Sequence, residues 1–590
     1  MLASELPYEI TFLIANFLQP RDKVQCCLVC KSWLLASQES LFETISVKSY
    51  CNVNELVYAT NPENNLLRKY CHKTRMLNIG RNICLRDRQL LALQKNLPCV
   101  QVFKWNNAIV ERYQLINCCG WNLWEKSLTN LKITVLRHDY ASLSNIFVSI
   151  RSNLSRLRRL HITDQYNERA LQCTFNDFEL LNDQLPELIY MSLSVHLYEM
   201  KPAELLKIKY VKPAPRLKVL GCCVEEATIE WLYYLAVKYP NISTLKTFDF
   251  SRFTIDEQTS LAGNIFKQLS FPFQRLENID VCVNMASEQV YLDFVNQLRL
   301  FNTSLKAICL SVDGISRDSM SSNNIIKSTN VFANTLQTIE IKSCPGIVQC
   351  LDLIPELVYY PHLVDLNICI KDAIVNLDVL LEKYPLLKTF SISDGVLNSS
   401  PNLPIPPTEN ALCDLSLSNM SISASTLKSI SIFCKKLTNM ELKCVDIEGS
   451  QQGATLYYCI DMSSTHFTTL FIESIQFTNV VNQDTINMFA FSLSNVSAEN
   501  TWVYSWYMQA NVFMAQQSKA RKLNKEESKE AGEYFHNFPR NIQPKYTKDQ
   551  IHDTIRFSSK DNWRDVLSNG YAIFKYGSVK NLLLETKHEK

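Results

Sequence analysis

Down most of the chain one spacing recurs: an apolar residue, two variable ones, an apolar one, one variable, a third apolar. It stands clearly at Leu128-x-x-Leu131-x-Ile133 and Leu157-x-x-Leu160-x-Ile162. Copies follow at Leu188, Met191 and Leu193, at Leu217, Leu220 and Cys222, at Leu245, Phe248 and Phe250, and at Leu276, Ile279 and Val281. The series runs on from Leu305, Leu336, Leu363, Leu387, Leu412 and Leu437, and ends less clearly at Phe467-x-x-Leu470-x-Ile472. Val100, Phe103 and Trp105 make an earlier copy, and Thr74, Leu77 and Ile79 a degenerate one. Apolar residues two apart on a strand point to one side. A short strand cannot cover that side alone, so successive units must stack and share one core. Between the strands the apolar period turns helical, as from Ile229 to Val237 and from Leu427 to Phe433. Leu97-Pro98, Leu185-Pro186, Tyr239-Pro240, Tyr360-Pro361 and Tyr384-Pro385 then end the helices and start extended segments.

The predicted fold is therefore α/β: a curved solenoid over residues 96–475, strands lining the concave side and helices outside. Residues 46–95 read as a linker with degenerate first repeats. Asp394 to Asn410, rich in Ser and Pro, interrupts the rhythm and reads as a surface loop. Past residue 475 the spacing fades. Trp502, Tyr504, Trp506 and Tyr507 cluster, and Gln517 to Glu533 reads as a charged helix. Since the end units of a stack expose core, residues 476–590 read as a C-terminal cap.

The N-terminus has a different pattern. Ile10, Leu13, Ile14 and Phe17 share one helical face, and Phe12, Ala15 and Leu18 form a second apolar stripe beside it. That arc is wider than the ~100° a one-sided helix needs. Pro7 suits a helix start, Gln19-Pro20 ends one helix and begins another, and Asp22 sits in the new first turn. Val24, Cys27 and Leu28 are expected to form the inner face of the second helix. A third helix begins near Lys31 and carries Trp33, Leu34, Leu41 and Phe42. So small a unit is near the lower limit for folding alone, so its surplus apolar surface is expected to meet both the following domain and a partner.

In order and spacing, Leu6-Pro7-x-Glu9-Ile10, Ile14, Phe17-Leu18, Pro20-x-Asp22, Val29-Cys30-Lys31-x-Trp33 and Leu41-Phe42 resemble an F-box over residues 1–45. Val24 and Cys27 depart mildly, standing where that family often has leucine and a small apolar residue. The body resembles leucine-rich repeats: its spacing of 24 to 31 residues mostly falls in their range of ~20–29. Phe433-Cys434-Lys435-Lys436-Leu437-x-x-Met440-x-Leu442 is similar to the cysteine-containing repeats common in F-box proteins, which makes Cys434 a packed thiol. The resemblance implies docking on the Skp adaptor, and through it on a cullin–RING complex, by Leu6, Pro7, Ile10, Ile14, Leu18, Pro20, Val24, Val29, Cys30 and Trp33. It implies a non-catalytic substrate-recognition subunit of a Skp–cullin–F-box ubiquitin ligase. The alternative is a repeat scaffold that binds the adaptor but acts outside ubiquitin transfer.

Composition narrows the rest. A net charge of +2 gives no global pull toward nucleic acid or membrane, so neither is an expected partner. No secretory signal or spanning run is apparent, so the chain is expected in the cytoplasm or nucleus and its 21 cysteines as reduced thiols. Adjacent pairs such as Cys118-Cys119 lack zinc-site spacing, and no nucleotide-loop, HExxH or GxSxG motif occurs. No cofactor or metal is expected.

The variable residue inside each strand points away from the core. In chain order this column reads Lys132, His161, Ser192, Gly221, Asp249, Asp280, Cys309, Glu340 and onward to Glu441 and Phe471. His161, Asp249, Asp280 and Glu340 are candidate client-binding residues. Either a client with a basic segment crosses the acidic middle, or these charges serve only a solvated face.

Overall fold

The computed structural model describes residues 5–58, 69–81, 83, 85–109, 121–137, 140–164, 171–225, 229–250, 273–284, 287–313, 320–343, 357–399, 410–449, 457–473, 475–481, 484–488, 490–495, 501–508, 517–536, 562–564, 567 and 571–584. The chain divides into two compact units, Met1–Thr303 and Ser304–Lys590.

The first unit opens with three helices, α1 (Tyr8–Phe17), α2 (Pro20–Cys26) and α3 (Lys31–Glu43). Pro20 occupies the first turn of α2, and Pro7 stands one residue before α1, where its carbonyl accepts the Thr11 N–H at 3.0 Å. Helix α3 runs directly into strand β1 (Thr44–Val47). A parallel ladder then builds through β2 (Met76–Ile79), β3 (Val102–Ile109), β4 (Asn130–Arg137) and β5 (Arg159–Asp164). After a short β6 (Leu171–Cys173) it continues through β7 (Tyr190–Leu197), β8 (Val219–Glu225), β9 (Thr244–Asp249) and β10 (Asn278–Asn284). The ladder thus begins at Thr44, and Leu77 and Ile79 of the degenerate copy are fully buried in it.

One contact repeats at each step. The carbonyl of Gln101 accepts the N–H groups of both Thr129 and Asn130; Thr129 does the same for Arg158 and Arg159, Arg158 for Ile189 and Tyr190, and Lys218 for Ser243 and Thr244. Two donors on one carbonyl lock each unit's register to its neighbour. The prolines act as expected: Tyr239, Tyr360 and Tyr384, each before a proline, are buried, and the Tyr384 N–H closes its helix on Leu380.

This lock corrects one frame. Ser243 holds the place that Lys218 holds in the previous unit, and Leu245 lies opposite Leu220 and Ile279. The first two apolar positions of the unit are therefore Ile242 and Leu245; Phe248 and Phe250, buried as expected, come after a bulge, where Phe248 meets Val281. Both spacings are apolar along the sequence; the pairing of β9 with β8 and β10 decides between them.

The second unit repeats the ladder through β11 (Ala307–Asp313), β12 (Thr338–Ser343), β13 (Asp365–Cys369), β14 (Ile374–Asn376), β15 (Thr389–Ser393), β16 (Val396–Asn398), β17 (Asp414–Ser423) and β18 (Asn439–Glu448). Part of the expected loop is strand: Val396–Asn398 pairs with β14 and β17, and Leu397 is buried. The rest of that loop, 400–409, and Cys118-Cys119 lie outside the described residues.

Beyond β18 come β19 (Tyr457–Ile472), β20 (Ile475–Val481), β21 (Asp484–Met488), β22 (Ala490–Asn495), β23 (Thr501–Met508), β24 (Gln517–Lys522), helix Lys525–His536 and β25 (Tyr571–Leu584). The expected helix from Gln517 starts only at Lys525. Gln517–Lys522 pairs antiparallel with β23, burying Ala520, because the ladder outweighs the helix preference of its charged residues. Strand β25 lies parallel to both β19 and β22, so the last strand fills a place between two earlier ones. Trp502, Tyr504, Leu523, Ala531, Trp563 and Leu567 form a buried cluster behind it. The side chains of Trp506 and Tyr507 lie outside the described residues.

Candidate functional site

The helical head packs small residues inward and large ones outward. Helix α1 presents Thr11 and Ala15, and α3 presents Ala36, Ser37 and Ser40, all buried. Ser40 donates to Asn16 and Thr11 to the Pro7 carbonyl, so these two inner hydroxyls have partners, while the Ser37 hydroxyl has none among the described residues. Meanwhile Ile10, Leu13, Ile14, Val24, Leu34 and Leu35 are exposed, and so are Phe17 at 88%, Leu28 at 77% and Val29 at 70%. Removing each such side chain from water is worth about 1.5–3 kcal/mol, and here that term is unspent.

Among the expected adaptor contacts, Pro7, Ile10, Ile14, Pro20, Val24 and Val29 are exposed, while Leu6, Leu18, Cys30 and Trp33 are half-buried. Of the expected inner face of the second helix, Val24 and Leu28 face solvent and only Cys27 is half-buried. Helix α2 has no buried residue at all, since seven residues cannot reach past Ala36 and Ser40 to a core of their own.

What holds the head down was not legible in its motif. Tyr8 donates to the Glu39 carboxylate, which pairs with Lys73 at 2.9 Å. Tyr70 donates to Gln38 at 2.7 Å and stacks on Phe42 at 5.3 Å between ring centres. Thr74 donates to the Phe42 carbonyl at 2.9 Å. For Glu39, burial pushes its carboxyl up, but the Tyr8 and Lys73 hydrogen bonds and the Lys73 charge outweigh it and hold the group below the ordinary range. The back of α3 is thereby bolted to residues 70–74, leaving α1 and α2 open.

The strand face carries the second set of candidates. Lys132 lies opposite His161, His161 opposite Ser192, and Ser192 opposite Gly221. The next position is Lys246, not Asp249. Asp249 sits farther along the strand, opposite Cys282, while Asp280 lies by the bulge at Lys246. The acidic middle of the column is thus broken by a base, because the β9 frame moved by three residues.

In the second unit the acids are already answered. Glu340 pairs with Lys342 at 2.9 Å and accepts from Asn367 at 2.8 Å. Glu441 pairs with Lys443 at 2.8 Å and accepts from Ser416 at 2.9 Å. Burial pushes the Glu340 carboxyl up, but hydrogen bonds from Lys342, Cys309 and Asn367 bring it below its usual range.

Among the described residues no group of three His, Cys, Asp or Glu side chains is placed to share a metal ion. Cys434 is buried, and burial pushes its thiol up to about 12, which suits packing rather than nucleophilic chemistry. No helix among the described residues is long and apolar enough to cross a membrane.

Residues 3–48 match the family model described as F-box-like. No curated protein sequence matches the chain. Among solved structures the chain is similar to Toll in the Drosophila Toll–Spätzle complex, at 12% identity and a TM-score of 0.38, over 78% of this chain and 58% of that one. It is also similar to the leucine-rich-repeat ectodomain of the Arabidopsis receptor kinase HAESA, at 12% identity and a TM-score of 0.22, over 69% of this chain and 80% of that one. The chain thus spans little more than half the length of the Toll chain. It carries an F-box-like head followed by a parallel-strand array of leucine-rich-repeat type.

Proposed function

We propose that this chain is the substrate-recognition subunit of a Skp–cullin–F-box ubiquitin ligase. The head docks on the Skp adaptor, a client protein lies on the strand face, and other subunits bring the ubiquitin-charged enzyme. The supporting observation is the open apolar surface of α1 and α2 within a segment that matches the F-box-like family. Leu6, Pro7, Ile10, Ile14, Leu18, Pro20, Val24, Val29, Cys30 and Trp33 make the adaptor contact, in the cytoplasm or nucleus. The chain contributes proximity: a client lysine held beside the charged enzyme reacts at a raised effective concentration. No side chain of this chain need take part in covalent work.

The test compares affinity capture of the intact chain with capture of an Ile14→Asp, Val29→Asp double variant, read by mass spectrometry. Both residues face solvent, so the circular-dichroism spectrum stays unchanged. Adaptor and cullin disappear from the variant sample while clients remain. Adaptor missing from the intact sample removes the proposal; adaptor without cullin leaves a repeat scaffold that works outside ubiquitin transfer.

A further inference from the structure

On the first unit, the strand face nearest the head gathers cations with no acid among them. Lys104 of β3 lies opposite Lys132 of β4, and Lys132 opposite His161 of β5. Arg159 precedes His161 by two residues and so shares its face. Together with Asn130 and Tyr190 they line a shallow depression of about 230 Å³. None of Lys104, Lys132 and Arg159 has a carboxylate partner among the described residues.

Neighbouring rungs of a sheet are ~4.8 Å apart, and like charges directly opposite one another are destabilising. The second unit avoids this by pairing Glu340 with Lys342 and Glu441 with Lys443. Here the repulsion stands. The corrected β9 frame adds Lys246 farther along the same unit, where the motif alone puts Asp249. His161 contributes a hydrogen-bonding group rather than charge: burial, and then Lys132, push its imidazole down to about 4, and its Nε2 lies 3.2 Å from the Thr163 hydroxyl.

We propose that this depression takes an extended, anionic segment of a client protein, bearing phosphoserine or clustered carboxylates. The proposal rests on the recognition-subunit reading, and names the client's chemistry with the opposite sign from an acidic column. Arg159 supplies a planar fork suited to phosphate or carboxylate, and the two lysines supply point charges on adjoining rungs. Side chains two apart on an extended peptide lie ~6.6 Å apart and on one side, which lets them address neighbouring rungs. Of the rings lining the depression Phe103 is fully buried, which leaves Tyr190 and the His161 imidazole half-buried rather than the row of open rings on which single-stranded nucleic acids stack.

The experiment uses the full chain and fluorescein-labelled Gly/Ser peptides carrying alternating phosphoserine, glutamate, serine or lysine, with single-stranded RNA and phosphatidylserine vesicles as further probes. Phosphoserine or glutamate peptides bind, the tighter of the two identifying the source of the charge; serine and lysine peptides do not. Affinity falls about tenfold or more in the Lys104→Glu, Lys132→Glu, Arg159→Glu triple variant and with rising salt. A milder Gln triple variant guards against misfolding and weakens binding in the same direction. The His161 NMR titration moves to higher pH in the peptide-bound state. Unchanged affinity in both triple variants, or RNA, vesicles or lysine peptides binding as tightly as the anionic peptides, overturns the proposal. The Ile14→Asp, Val29→Asp variant must keep its peptide affinity. Adaptor capture, scored separately on each variant, tells failure of the recognition reading apart from failure of this one.

Discussion

Ile14 and Ala15 are adjacent on α1, yet one faces solvent and the other is sealed against α3. Close approach of the two helices depends on Ala15, Ala36, Ser37 and Ser40 being small. Ala15→Leu or Ala36→Leu should therefore destabilise the head by about 1–3 kcal/mol, because the added isopropyl group must force apart a fully buried helix contact. Phe17→Ala, at an 88% exposed site, should change stability by no more than about 0.5 kcal/mol. Hydrogen exchange of the α1 amides measures both: protection collapses in the first pair of variants and is retained in the third. The surplus apolar arc of this helix was legible in its spacing. Which stripe of the arc turns outward was not, since periodicity gives an angle around the axis and not a depth.

At the scale of elements, caps and double-accepting carbonyls decide where each unit begins. The helix Phe175–Gln184 starts on a reciprocal box. The Thr174 hydroxyl accepts the Asp177 N–H at 3.3 Å, and the Asp177 carboxylate accepts the Thr174 N–H at 3.0 Å and its hydroxyl at 2.7 Å. Arg151 adds a contact at 3.4 Å. Burial pushes the Asp177 carboxyl up, but the Thr174 and Arg151 bonds prevail and hold it below the ordinary carboxylate range. A lowered folded-state value means stability that is present above the unfolded value and lost as pH falls through the folded one. Thr174→Ala should cost about 1 kcal/mol at neutral pH. Its deficit should shrink as pH falls below the ordinary aspartate value of about 3.9 and the carboxylate protonates in both proteins. Thermal melts of the two proteins across that range give the comparison. The strands themselves were legible from alternation. The β9 frame was not, since Ile242-x-x-Leu245 and Leu245-x-x-Phe248 satisfy the same apolar spacing and only pairing with β8 and β10 separates them.

At the scale of the whole molecule, each unit is stabilised by neighbour-on-neighbour pairing, so damage should stay in the unit that suffers it. Strand β25 is the exception to sequential order: Tyr571 lies opposite both Tyr457 and Ala490. Ending the chain at residue 570 should leave the edges of β19 and β22 unpaired, a template for aggregation. Hydrogen exchange by mass spectrometry should then show lost protection from β18 to β24, with the β2–β8 ladder protected as before. Equal loss in both units would contradict a nearest-neighbour architecture.

By itself the sequence determined the repeat, the α/β class, the separate helical head and the apolar excess on that head. All of these are local periodicities, readable wherever side chains three, four or two residues apart must share a face. Tertiary structure alone decided the depth of each stripe on α1, the register of β9, the seat of β25 and the want of counter-charges, among the described residues, for Lys104, Lys132 and Arg159. Each of these depends on which distant residue lies across a ladder or a helix contact, and that is a property of chain pairing, not of spacing along the chain.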